Sequence, residues 1–271
     1  MVHQIKWCEL VLLAKTGNFS VFPIISLVIN GAFLIFLLIS LRHHLSQFKL
    51  LATKIIPIYY FFLYLIVCLD IVVSVLTGLN YKHSRLIPVI SSIGSVLIFF
   101  CETSLLIFML LGNTLRYRVA MKNTITFSVI ISFCYLVIHL VLLIKGINLY
   151  DFRLDNSTTL YYWLAVDSLF SLIYFLLLIM TNLKKFKYRL PMKSSFFGYV
   201  FFMFSTKLFY LTGYIFLINR TLCGYCFIAI GMLGNNSLFC LVFYLLFLRE
   251  YFRFKNVDYV TLLGEYLLQE K

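Results

Sequence analysis

Long apolar stretches separated by short polar gaps dominate the chain. Seven of them, at 21–41, 55–79, 88–112, 124–144, 160–182, 195–218 and 225–248, are long enough to cross a bilayer as helices, which takes about 20 apolar residues each. Membrane β-strands would instead alternate apolar and polar positions over roughly ten residues. An unbroken run reads as a helix that is apolar all round, surrounded by lipid and by other helices. The gaps are short, so consecutive helices are expected to lie antiparallel in one bundle. The pattern shows no internal repeat and no second soluble domain, and 249–271 reads as a short cytosolic juxtamembrane tail.

Composition turns this pattern into an exclusion. Of the 271 residues, 62% are hydrophobic and only 12% charged, whereas a soluble domain keeps about a quarter of its residues charged. The predicted fold class is therefore an all-α integral membrane protein, a seven-transmembrane-helix bundle. The net charge of +13 would suggest nucleic acid in a soluble protein. Here the basic residues sit in the gaps, where they set topology and meet anionic lipid headgroups, so no nucleic-acid partner is expected. Lys6, Glu9 and Lys15 interrupt the apolar character of the first residues, and no cleavable signal peptide is expected; the first span serves as its own insertion signal.

Orientation follows from the alternate gaps. The gaps after spans 1, 3 and 5 and the tail hold Arg42, Lys49, Lys54, Arg116, Arg118, Lys122, Lys184, Lys185, Lys187, Arg189, Lys193, Arg249, Arg253, Lys255 and Lys271. The opposite side holds Lys6, Lys15, Lys82, Arg85, Lys145, Arg153 and Arg220. The excess of Lys and Arg marks the cytosolic side, which puts the N-terminus outside and the C-terminus in the cytosol. Three glycosylation sequons, at Asn18, Asn156 and Asn219, fall on the same predicted outer side. A fourth, at Asn235, lies inside the seventh span.

Ionisable residues inside a span are costly and face the bundle interior or a wet cavity. Five stand out: Asp70, Glu102, His139, Asp167 and Lys207. At about 1.5 Å per residue from the cytosolic helix ends, Glu102 and Lys207 lie near the midplane, roughly 15 and 18 Å up, and the other three about 22 Å up. The expected arrangement is an acid–base pair of Glu102 and Lys207, with Asp70 and Asp167 as rival partners, beneath an outer polar layer. It forms either a structural network, a ligand pocket or an ion path. One histidine within the spans is too few for a membrane zinc site, so no metal is expected. No P-loop, dinucleotide fingerprint or nucleophile elbow occurs, and neither an enzymatic activity nor a cofactor is expected.

Cys68, Cys101, Cys134 and Cys240 lie in spans and read as packing residues. Cys8, Cys223 and Cys226 fall on the outer side, where a disulfide from Cys8 to Cys223 or Cys226 would persist. The stretch Arg249-Glu250-Tyr251-Phe252-Arg253-Phe254-Lys255 mixes aromatics and cations directly after a span and reads as an interfacial segment.

Seven helices with an outer N-terminus suggest a G-protein-coupled receptor, yet the rhodopsin-class markers are missing. The end of span 3 reads Asn113-Thr114-Leu115-Arg116-Tyr117, span 6 has no Cys-Trp-x-Pro, and span 7 has Asn235-Asn236-Ser237-Leu238-Phe239 without a proline. The chain more closely resembles the transmembrane protein adipocyte-associated family, orphan seven-helix proteins grouped with receptors. The resemblance is carried by Asn30 with Phe33-Leu34-Ile35-Phe36-Leu37-Leu38, by Pro57-Ile58, and by Glu102 with Ser104 and Gly112. Leu190-Pro191 followed by Ser195-Phe196 and Tyr199 carries it further, as do Leu222-Cys223 and Phe247-Leu248-Arg249 with Phe252. A late proline in helix 7 and a longer tail, frequent in that family, are absent, so a shared motion of helix 7 does not follow. The resemblance implies a receptor-like role in signalling and assigns no ligand.

Three functions compete. A receptor would bind a small-molecule or lipid ligand in the outer half, near Asp70, His139 and Asp167. It would then change the coupling loop Lys184, Lys185, Lys187, Arg189 and Lys193 toward a cytosolic signalling partner. A transporter or channel would use Glu102 and Lys207 as a relay, and a scaffold would bind other membrane proteins through its lipid face. A plasma-membrane or endomembrane location suits all three. With tags in each loop, protease protection should find Asn18, Asn156 and Asn219 lumenal or external and residues 183–194 cytosolic; cytosolic exposure of the 145–159 loop would overturn the topology.

Overall fold

The computed structural model describes residues 21–48, 55–78, 86–111, 117–147, 149–150, 157–182 and 194–249. Seven long helices account for nearly all of them: α1 (Val21–Phe48), α2 (Ile55–Gly78), α3 (Leu86–Leu111), α4 (Tyr117–Ile144), α5 (Ser157–Asn182), α6 (Ser194–Ile218) and α7 (residues 224–248). Each contains a stretch of at least 20 residues apolar enough to span a bilayer, and the protein is a multi-pass membrane protein. Asn18, Asn156, Cys8, the Lys184–Lys193 loop with Lys185, Lys187 and Arg189, and nearly all of the tail lie outside the described residues.

Two helices overrun the apolar runs that announced them. α1 continues past Leu41 to Phe48, and α4 begins at Tyr117 rather than at Thr124. Hydropathy marks where the lipid ends, but backbone hydrogen bonding continues one or two turns into the polar interface. Arg42, His43 and His44 close the first apolar run without ending its helix.

Two helix ends are terminated by the same backbone device. Gly146 adopts φ 78 after α4, and Arg220 adopts φ 57 after α6. The amide of Ile147 donates to Leu142 O and that of Thr221 to Phe216 O, while Gly146 and Arg220 donate to Leu143 O and Leu217 O. This left-handed cap satisfies the last carbonyls of a helix and turns the chain sharply. After α4 it returns Leu149 and Tyr150 against the bundle, and Leu149 is buried.

The helices pack in a ring whose members are unevenly joined. Backbones approach most closely between α1 and α2, α2 and α3, α3 and α4, α5 and α6, and α6 and α7, with α1 closing against α7. α3 meets α5 and α6 through side chains, including Phe99 edge-on to Phe170 at 5.4 Å. Large apolar side chains such as Val28, Ile39, Phe61, Phe133, Leu169 and Phe201 cover the outside, where lipid replaces the partner that water could not supply.

Two apolar clusters fill the interior. The larger contains Leu37, Leu63, Ile66, Leu105, Tyr199, Met203, Phe239 and Phe243; the smaller contains Leu160, Tyr210, Tyr214, Leu217, Tyr225 and Ile228 at the other end. Several hydroxyls within the spans are satisfied by their own helices, although Thr124, Ser128 and Ser132 of α4 are buried without a partner among the described residues. Thr103, Ser205, Thr206 and Thr212 each donate to the carbonyl four residues earlier, at 2.8, 2.9, 2.9 and 2.9 Å. A polar net ties α1, α2 and α7: Ser26 Oγ lies 3.0 Å from Ser237 Oγ, Ser74 donates to Ser26 at 3.2 Å, and Asn30 Nδ2 donates to both Ser26 and Ser237 at 3.3 and 3.4 Å.

α7 packs on α6 through glycines. A Cβ on Gly224 would lie 2.6 Å from Gly213 O, and one on Gly231 would lie 2.9 Å from the Tyr210 ring. Small residues allow helices in a membrane to approach this closely. By contrast, a Cβ on Gly31 of α1 would meet nothing within 4 Å. Gly224→Ala should therefore force α6 and α7 apart and cost about 1–3 kcal/mol, the usual range for overpacking. Gly31→Ala should be neutral or slightly stabilising, and melting of the purified protein in detergent compares the two.

Candidate functional site

The interior polar centre begins with Lys207, at the middle of α6. Its stripe mates along the helix are Met203, Tyr210 and Tyr214, at the three- and four-residue spacing that keeps side chains on one face. All four are buried. On α5 the same spacing aligns Asp167, Phe170 and Tyr174, and all three are buried. On α3 it aligns Ser95, Ile98, Phe99 and Glu102. The three stripes face one another across the seam where α3 meets α5 and α6.

Lys207 Nζ sits between two carboxylates, 3.2 Å from Asp167 Oδ1 and 3.8 Å from Glu102 Oε2. Tyr174 donates to Glu102 Oε1 at 2.7 Å, and Tyr214 donates to Asp167 Oδ2 at 3.2 Å. The ammonium also lies 5.3 Å from the centroid of Phe170, within range of a cation–π contact. Glu102, Asp167 and Lys207 are 2, 3 and 6% exposed, so they are held by one another rather than by solvent. The expected pair is thus a triad, with Asp167 closer to the lysine than Glu102. Both tyrosines were absent from the sequence-based expectation. Their signal was the seven-residue spacing, Asp167 to Tyr174 and Lys207 to Tyr214, which returns to the same helix face.

A cavity of about 60 Å³ opens beside the triad. Its lining includes Ser95 and Phe99 of α3, Trp163 and Asp167 of α5, Lys207 of α6, and Asn235 and Asn236 of α7. That volume suits a few waters or a small polar group, since one water needs about 10–15 Å³ on this measure. Tyr150 and Trp163 close it toward the predicted outer end. Tyr150 donates to Ser95 Oγ at 3.0 Å, and the Trp163 indole donates to Leu149 O at 2.6 Å. Burial pushes the Tyr150 phenol up to about 12, so it stays a neutral donor at physiological pH. Beyond the triad, toward the predicted cytosolic end, the core is the apolar cluster around Leu105, Tyr199, Met203 and Phe243.

Asp70 and His139 lie apart from this lining. Asp70 packs against α3 at Gly94, where a Cβ would be 3.9 Å from Asp70 Oδ1, and Asp70 Oδ2 has no hydrogen-bond partner among the described residues. His139 is enclosed by aromatic rings: Tyr135 at 4.1 Å, Tyr162 at 5.8 Å and Trp163 at 5.8 Å. Neither of its ring nitrogens has a hydrogen-bond partner among the described residues. It is a packing residue between α4 and α5. Cys223 and Cys226 are half-buried at the start of α7, and Asn219 is exposed in the turn before it. No three His, Cys, Asp or Glu residues converge as a metal set among the described residues.

α7 is irregular where it borders the cavity. It runs as α-helix through Gly224–Met232, as π-helix through Leu233–Leu238, as α-helix through Phe239–Phe243 and again as π-helix through Tyr244–Leu248. Such wide turns inside α-helices frequently mark functional sites. The first one carries Asn235 and Asn236, whose side chains meet at 3.4 Å.

Residues 15–265 match the Tmemb_40 family, described as predicted membrane protein, and the chain belongs to that family. No curated protein and no solved structure matches it.

Removing one member of the triad should be worse than removing a charged pair. Lys207→Met leaves two carboxylates buried without their cation, which should cost about 3–5 kcal/mol. Adding Asp167→Asn should recover part of that loss, because the shorter ion contact is to Asp167. Melting of the single and double variants in detergent measures the coupling, and strictly additive losses would mean that the two residues do not interact.

Proposed function

We propose that this protein is a receptor-like membrane protein that binds a small ligand in the cavity at the α3–α5–α6 seam and relays its presence through α6 and α7. The observation that carries this reading is the position and closure of the cavity. It reaches from the Tyr150–Trp163 cover to the triad, and the tightly packed apolar cluster lies beyond. A pocket set toward one side of the membrane beneath a cover of two side chains is what a receptor needs, whereas a transporter needs access from both sides in turn. The ligand would act by favouring one of two arrangements of the seam, as differential affinity requires. Lys207 links α6 to both α3 and α5, and the glycine contacts make α7 follow α6. Movement would then reach the basic loop of Lys184, Lys185, Lys187, Arg189 and Lys193, which precedes α6 in sequence, and a cytosolic signalling partner recruited there.

Cysteine accessibility separates this reading from its rivals. Ser95→Cys and Asn236→Cys are placed singly in a chain whose Cys8, Cys68, Cys134, Cys223 and Cys226 are replaced by serine. The full chain in sealed vesicles is then treated with a charged, membrane-impermeant methanethiosulfonate. Both positions should react from the predicted outer side and not from the cytosolic side, with Phe243→Cys silent from either. Reaction from both sides would establish a transport path, and reaction from neither would leave a dry scaffold.

A further inference from the structure

The seam site holds two acids and one base. Glu102 and Asp167 bring two carboxyl groups to Lys207, and no other Lys or Arg lies in the interior of a span. His139, on the far side of Tyr135 and Trp163, is enclosed by rings and does not line the cavity. An anion entering the cavity would meet an excess of carboxylate. A neutral molecule would leave the charge balance of the site as it was. With both carboxyls ionised, a cation would bring the site to neutrality in surroundings of low dielectric, where that difference counts most; with a proton on one of them, it would take that proton's place.

The rest of the lining points the same way. Asn235 borders the cavity, and its buried Oδ1 accepts no hydrogen bond among the described residues. A buried acceptor without a donor is unfavourable, and an ammonium group has donors only. Phe99, Trp163 and Phe170 border the same space, and aromatic faces attract organic cations more than they attract neutral groups. A volume of about 60 Å³ admits a head group of a few heavy atoms and not a large ring.

We infer that the ligand of this cavity presents a small alkylammonium group, which pairs with Asp167 and Glu102 in competition with Lys207. The inference rests on the receptor-like reading of the cavity and gives that reading a mechanism. Lys207 is the ionic link from α6 to α3 and α5, added to the close backbone packing of α5 on α6. An incoming ammonium on Asp167 takes over the shorter of the two ion contacts and loosens that link, while Glu102 keeps its hydrogen bond from Tyr174. α6, joined to α7 at Gly213, Gly224, Gly231 and Gly234, then passes its change of position relative to α3 on to α7.

The test uses the full chain purified in detergent with methylammonium chloride as the probe. Sodium chloride serves as the ionic control and acetamide as the neutral control of similar size. Methylammonium should raise the melting temperature with saturation and should slow labelling of Ser95→Cys, and neither control should do so at equal concentration. Asp167→Asn should weaken the effect by at least about tenfold, which is roughly 1.4 kcal/mol of binding. If that variant does not fold, Lys207→Met supplies the second arm, because it keeps both carboxylates and should be stabilised by methylammonium more than the parent chain. Equal shifts from sodium chloride would overturn the ammonium assignment. So would an absence of any shift in a protein whose Ser95→Cys is still labelled, an outcome that leaves the cavity reading standing. Failure of Ser95→Cys to label from either side would instead remove the cavity reading, while the melting arm, which needs no cysteine, still decides whether an ammonium binds.

Discussion

The ammonium of Lys207 has to be satisfied at the middle of a bilayer, and the way it is satisfied determines how the bundle closes. An unpaired charge at that depth costs at least about 2.5–3.5 kcal/mol on insertion scales. α3, α5 and α6 each carry one such group, so none of the three is comfortable in lipid on its own. Their meeting removes the problem for all three. Where α3 faces α5 and α6, contact is made by side chains: Lys207 with Glu102 and Asp167, Tyr174 with Glu102, and Phe99 with Phe170. The cavity lies beside these contacts, with Glu102, Asp167 and Lys207 in its lining.

A second polar fastening lies on the other side of the bundle, and it is of a different kind. Ser26, Asn30, Ser74 and Ser237 join α1, α2 and α7 through neutral hydrogen bonds. Small hydroxyls let those helices sit close, and the net has no formal charge to balance. Removing one member leaves one unsatisfied group rather than a buried charge. The two fastenings therefore divide the molecule. The neutral net fixes α7 to α1 and α2, glycines fix α7 to α6, and the ionic centre connects α6 with α3. Of these connections, only the ionic one changes strength with the charge of its surroundings.

How much of this could be read from the chain depends on which physical signal each feature leaves. The seven spans were legible because lipid imposes an unbroken apolar length, and the overrun of α1 and α4 was not, because hydropathy reports the lipid boundary and not the last hydrogen bond. Counting depth along the helices put Lys207 between Glu102 and Asp167, roughly 3 Å above one and 4 Å below the other. An extended lysine reaches both, so a triad was the better reading of the same numbers than a pair. Tyr174 and Tyr214 were readable from their seven-residue spacing to Asp167 and Lys207. Asp70 and Asp167 have the same depth and residue type, and only the helix rotation, which a nearly all-apolar sequence does not reveal, separates the one in the triad from the one against Gly94. For the same reason His139 could be placed in depth but not in azimuth. The second π turn left no signal, since Tyr244–Leu248 contains residues that an ordinary α-helix accepts, and the first left only the weak helix formers Gly234-Asn235-Asn236-Ser237, which do not by themselves specify a wide turn.

Those wide turns bear on the missing proline of span 7. A proline bends a helix by removing one hydrogen bond and fixes the bend in place. A π turn also interrupts the regular ladder, but it does so with an extra residue that belongs to no particular position. Shifting that residue along the helix rotates the facing of the next residues by about 100° per position, the rotation of one α-helical step. In α7 the two π segments bracket Phe239–Phe243. Phe239, Cys240 and Phe243 are fully buried in the apolar cluster that lies beyond the cavity, and Asn235 and Asn236 border the cavity itself. The part of α7 that seals the bundle thus follows directly on the first π turn, which itself carries Asn235 and Asn236 to the cavity. On the receptor-like reading proposed above, a helix built this way would need no proline to couple the contents of the cavity to the packing below it.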